Sequence, residues 1–102
     1  MAKRNTITTV LPPSVSGPEI LPASIGLPEL LGREVILFCG IYIYAGRLSA
    51  IGDTALKLES AVIVYDTGPL LDPAWSDAQR LPGPHWWVSI AAIESFGAGK
   101  NT

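Results

Sequence analysis

Charge is scarce in this chain. Only 16% of its 102 residues are Asp, Glu, Lys or Arg, against about 25% in an ordinary soluble domain. The formal charge is -2, so no broad basic field draws in nucleic acid, and any such binding must come from a local patch or from stacking. Cysteine occurs once, at Cys39, which excludes a disulfide framework and a Cys-rich zinc site. Set in an apolar run, Cys39 reads as a buried, inert thiol. Histidine also occurs once, at His85, with no cysteine or carboxylate at ligand spacing, so no metal site is expected. The longest apolar run, Val35 to Gly46, falls short of the roughly 20 residues that a membrane-spanning helix needs. Met1-Ala-Lys-Arg is followed by threonines and Pro12-Pro13, not by the apolar core of a leader. A cytoplasmic protein with no membrane association and no cofactor is the expectation.

Against these absences stands a hydrophobic content of 48%. That excludes a disordered chain and suggests that a partner covers some of the surface. The length suits one compact domain.

Composition divides the chain. Five of the nine prolines lie between Pro12 and Pro28, where they deny the backbone donors that a sheet interior requires. Residues 1–26 therefore read as an extended, proline-rich arm. Two similar tetrads, Pro18-Glu19-Ile20-Leu21 and Pro28-Glu29-Leu30-Leu31, each place proline and an acid where a helix starts, and Gly32 is positioned to stop the second. One or two short helical turns follow from this, serving either as a docking peptide for a partner or as an arm lying on its own domain.

From Arg33 the pattern is that of strands. Arg33–Cys39 is rich in β-branched and aromatic residues, and Ile41–Ile51 forms a second strand with Gly46 inside it, a signature of a sharp bend. Gly52-Asp53 is a turn. In Ala55–Tyr65, Leu56 and Leu58 alternate with Lys57 and Glu59, which places leucines inward and charges outward. Beyond Ser60 the alternation lapses into Ala-Val-Ile-Val-Tyr, which needs cover on both faces. Thr67–Pro84 is an insertion in which Asp72-Pro73 pairs a helix cap with a first-turn proline, so a short helix is expected over Pro73–Arg80. His85–Ile90 reads as a fourth strand, Ala91-Ala92 as a pivot, Ile93–Phe96 as a fifth strand, and Gly97–Thr102 as a mobile tail.

This layout resembles the Sm-like (LSm/Hfq) family. The residues that carry the resemblance are Leu30-Leu31-Gly32-Arg33-Glu34-Val35, Ala45-Gly46-Arg47-Leu48, Asp53, Leu56-Lys57-Leu58-Glu59-Ser60-Ala61-Val62, and Val88 through Phe96. The likeness covers roughly residues 27–97 and implies an all-β fold: a small five-stranded, SH3-like bent barrel with a short N-terminal helix. It further implies a homo-oligomeric ring of five or more subunits, the fourth strand of one pairing with the fifth of its neighbour. Exposed strand edges and a surface poor in charge point the same way. The family's RNA-binding residues are absent. The second turn reads Gly52-Asp53-Thr54-Ala55 without asparagine, and Ala91-Ala92 stands where an Arg-Gly or Lys-His pair is usual. RNA binding would therefore use another surface. Candidates are Arg47 and Lys57 for phosphate, Asp53 and Thr54 in the turn, and Trp86 and Trp87, with Tyr42 and Tyr44, for stacking, although the acidic pI favours reading these aromatics as barrel core and subunit interface. Trp86 and Trp87 are neighbours and so face opposite sides of their strand.

Catalytic readings are weaker. Asp66-Thr67-Gly68 matches the triplet of aspartic proteases, whose chemistry needs two carboxylates sharing a proton. Here Pro69-Leu70-Leu71 follows and no aliphatic-aliphatic-glycine segment appears later, so an Asp turn leaving a strand is the better reading. Asp66, Asp72 and Asp77 lack the alternation of a calcium loop. The expectation is a protein that is not an enzyme: an Sm-like ring, or a structural or adaptor ring engaging protein partners through its arm and its 67–84 loop.

Overall fold

A computed structural model describes Pro18, Ile20 and residues 26–100. The chain is all-β: a six-stranded antiparallel sheet of β1 (Glu34–Cys39), β2 (Tyr42–Ile51), β3 (Ala55–Asp66), β4 (Asp77–Arg80), β5 (His85–Ser89) and β6 (Ser95–Ala98). The order is β4-β3-β2-β1-β6, and β5 also pairs with β3. Strands β4 and β5 divide β3 between them, β5 against Ala55–Glu59 and β4 against Val62–Asp66.

Alternation along the strands produces one apolar cluster. Val35 and Leu37 from β1, Leu48 from β2, Leu56, Leu58 and Ala61 from β3, and Val88 from β5 are buried together. Each of the larger side chains contributes about 1.5–3 kcal/mol relative to exposure. The sheet curls around this cluster where the ladder slips. The β2–β3 register shifts between Ala45 and Arg47. The partner stretch holds Ser60 at a φ of 52°, a left-handed conformation that few non-glycine residues adopt. At the slip a Cβ on Gly46 would lie 3.0 Å from the Glu59 carbonyl and 3.1 Å from the Ala61 Cα. The glycine thus lets β2 cross β3 at contact distance.

Three local expectations are corrected. Over Pro73–Arg80 the structure has no helix; Asp77–Arg80 is strand β4. A cap and a proline favour a helix only weakly, whereas the apolar edge of Val62, Ile63 and Val64 needs backbone partners, which Arg80, Gln79 and Ala78 supply. The sheet accordingly has six strands, not five. Ahead of β1, Leu27–Leu30 is a single 3-10 turn, since four residues between Gly26 and Leu31 leave no room for an i→i−4 ladder. Of the first tetrad only Pro18 and Ile20 are described, without regular structure; the rest, like most of the 1–26 arm, lies outside the described residues. Finally, Gly97 and Ala98 belong to β6, and the Gly99 amide donates to the Glu34 carbonyl at 2.9 Å, so this stretch is no free tail. Among the described residues no helix is long and apolar enough to cross a membrane.

Candidate functional site

The β2–β3 turn, Gly52–Thr54, and the Ile90–Ala92 turn between β5 and β6 lie side by side. The Ile90 amide donates to the Thr54 carbonyl at 2.9 Å. Beside them, Lys57 on β3 is the register partner of Trp87 on β5. The outcome is an open cavity of about 340 Å³ whose walls include Ile51, Asp53, Thr54, Lys57 and Trp87. Trp87 is 62% exposed and lines the cavity together with Lys57. Strand alternation puts it there: Leu56 and Leu58 go into the core, so Lys57 and its partner Trp87 face out.

Four of the six candidate residues thus meet, and two do not. Trp86 packs against the apolar cluster from the other face of β5. Arg47 does not line the cavity. Its Nε lies 4.0 Å from Glu59 Oε1, and Glu59 Oε2 lies 3.9 Å from His85 Nε2. This exposed triad is worth at most about 1 kcal/mol per pair, but it offsets the arginine's charge next to the cavity. His85 also meets Trp87 edge-on, with ring centroids 6.0 Å apart. The rings of Tyr42 and Tyr44 lie tilted to one another with centroids 6.3 Å apart, at the far end of β2 from the turn, so they form no platform with Trp87. Lys57 and Asp53, one of each sign, leave the cavity close to neutral.

Asp66 Oδ1 accepts the Gly68 amide at 2.9 Å, the Asp turn expected where β3 ends. Burial, then the Glu94 carboxylate, pushes the Cys39 thiol up from its ordinary value, which disfavours the reactive thiolate. Among the described residues no group of three or more His, Cys, Asp and Glu side chains is placed to hold a metal ion.

Sequence reasoning missed a second polar cluster. Lys100 Nζ donates to the carbonyls of Thr67, Pro69 and Ala74 at 2.6, 2.8 and 2.8 Å and lies 4.7 Å from the Trp75 ring centroid. Backbone carbonyls carry no residue-type signal, so nothing local in the sequence announces this convergence. No protein-family model, curated protein or solved structure matches the chain.

Proposed function

We propose that the chain is an Sm-like barrel that assembles in the cytoplasm as a ring of five or more copies and presents the Trp87–Lys57 cavity of each subunit to single-stranded RNA. The observation that carries this reading is the state of β5. Among the described residues it pairs only with β3, as β6 pairs only with β1, so each has an edge open to a neighbouring copy. Strand β6 also bears a large exposed apolar side chain, Phe96, for the neighbour to cover. Pairing β5 of one subunit with β6 of the next satisfies both edges and closes a ring if the rotation repeats. The cavity beside β5 then recurs around one face of the ring. No catalytic step and no cofactor is part of this reading.

Stacking on an exposed aromatic ring is worth about 1–3 kcal/mol per base, and the lone Lys57 adds about one unit to the salt slope for each engaged subunit. Native mass spectrometry of protein purified without nuclease tests the assembly: five or more subunits are expected, and a monomer overturns the ring. Titration of U-rich, A-rich and mixed RNA at low and high salt tests the ligand. Trp87→Ala is expected to weaken binding about 5- to 150-fold, and Lys57→Ala to flatten the salt dependence. A ring without detectable RNA affinity favours the second reading, an adaptor that engages protein partners through its arm and its 67–84 loop. The fully exposed Leu71 on that loop supports this alternative.

A further inference from the structure

The segment that joins β3 to β4, residues 67–76, folds back over the outward side of the sheet. Trp75 forms a wall shared by two cavities. One, of about 470 Å³, includes Ile36, Phe38, Leu70 and Leu71; the other includes Glu34, Ala45, Gly46 and Val62. Of the segment's apolar side chains Trp75 alone is half-buried against the sheet, while Leu70 and Leu71 are exposed. Packing alone gives weak reason for it to stay closed.

A cation supplies that reason. An ammonium group has three donors, and Lys100 directs all three at carbonyls of this segment. Two acceptors, Thr67 and Pro69, come from its beginning and one, Ala74, from its end, so one charge ties both ends. The Trp75 ring adds a cation–π contact. No carboxylate is paired with Lys100 among the described residues; carbonyl dipoles and a ring face balance its charge, the chemistry by which proteins hold ammonium and other monovalent cations. The lysine is delivered by Gly99, where a Cβ would fall 2.7 Å from the Val35 carbonyl carbon, so only glycine brings the chain close enough to β1.

We propose that the carbonyls of Thr67, Pro69 and Ala74, with the Trp75 ring, constitute a binding site for a primary ammonium, that Lys100 is its resident ligand, and that occupancy holds residues 67–76 closed over the cavity lined by Ile36 and Phe38. The site takes a primary alkylammonium because it needs three N–H donors on a compact head. A quaternary ammonium has none, and the planar guanidinium of arginine spreads its donors in a fork that converging carbonyls do not match. This inference stands apart from the ring and RNA reading.

The unaltered protein gives the first test. In an ¹⁵N-lysine-labelled sample at neutral pH, the Lys100 ammonium protons are expected to exchange slowly enough to give a resolved signal, whereas those of Lys57, at the open cavity beside β5, do not. Absence of a Lys100 signal overturns the site whatever the variants do. In Lys100→Ala, backbone hydrogen exchange over residues 67–76 is expected to rise at least about tenfold while β1 and β3 keep their protection. Ethylammonium chloride is expected to restore the protection, and tetramethylammonium chloride or sodium chloride at equal ionic strength to leave it lost. Unchanged exchange in Lys100→Ala, no restoration by ethylammonium, or equal restoration by sodium each overturns the proposal. Should Lys100→Ala fail to fold, the ammonium signal of the wild-type chain decides alone.

Discussion

The two halves of β3 share a strand and differ in what covers them. In Ala55–Glu59 strict alternation sends Leu56 and Leu58 into the core and leaves Lys57 and Glu59 on an outward face shared with Trp87, His85 and Arg47. After Ser60, Ala61 and Val64 are buried and Val62 and Ile63 half-buried, so both faces carry apolar side chains. The cover for that second outward face comes from the chain itself, where Trp75 of the 67–76 segment lies by Val62 and Ala45. A two-faced apolar strand is therefore no sign of a partner in this molecule. What argues for a partner is the first half, where the open edge of β5 and the exposed Trp87 stand together.

The division depends on the bend at Gly46 and Ser60, and removing that bend should have the largest effect. Gly46→Val places branched carbon where a single Cβ already meets the Glu59 carbonyl and the Ala61 Cα at 3.0 and 3.1 Å. These are backbone atoms of the partner strand, which cannot rotate away. The expected loss is about 3 kcal/mol, a fall in Tm on the order of 10–20 °C, measured by thermal or urea unfolding. A variant as stable as the wild type would mean that β2 and β3 do not need this close crossing, and that the two halves are not set by it. Ser60→Gly sharpens the same point from the other strand. A left-handed residue costs roughly 1–2 kcal/mol, and glycine's greater freedom in the unfolded chain returns about 0.5–1 kcal/mol of that. A net gain of about 0.5–1 kcal/mol in urea unfolding is expected, and a loss would show that the serine side chain has a role at the bend.

The sequence made the first half more legible than the second. Alternation across Leu56–Glu59, glycine at the bend and the opposed faces of Trp86 and Trp87 all follow from a period of two, which is local information. Strand β4 was hidden because its four residues, Asp77-Ala-Gln-Arg80, carry no apolar pattern; they are a strand because Val62–Val64 requires one. A cap at Asp72-Pro73 lost to that non-local demand. The candidate cavity was half legible. Lys57 and Trp87 were visible as an outward charge and an aromatic, but that they are register partners, and that Glu59 engages Arg47, depends on pairings set by turns elsewhere. The Lys100 cluster was not legible at all, since its three acceptors are main-chain atoms gathered by the fold.

The smallest effect concerns ionisation near the second half of β3. Tyr44 is the register partner of Ile63, and Cys39, two places from Leu37 on β1, packs against the same core. Burial, the larger cause for each, raises both groups above their ordinary values of 9.0 for the thiol and 10.0 for the phenol. The sign follows from proton counting. In the unfolded chain the thiol ionises first, near 9.0, so above that pH the folded state holds more protons than the unfolded one and stability falls as pH rises. The contribution is complete below the unfolded value and disappears as pH climbs through the folded one; Tyr44 extends the decline from about 10.0 upward. Urea midpoints measured between about pH 7 and about pH 11 should be level at first and then decline. Cys39→Ala should remove the early part of the slope and keep the later part. A wild-type midpoint that stays level past pH 10, or a Cys39→Ala profile parallel to the wild type, would show that the partial burial of these two groups does not hold their protons. The contrast between the two halves of β3 would then lie in their outward cover alone.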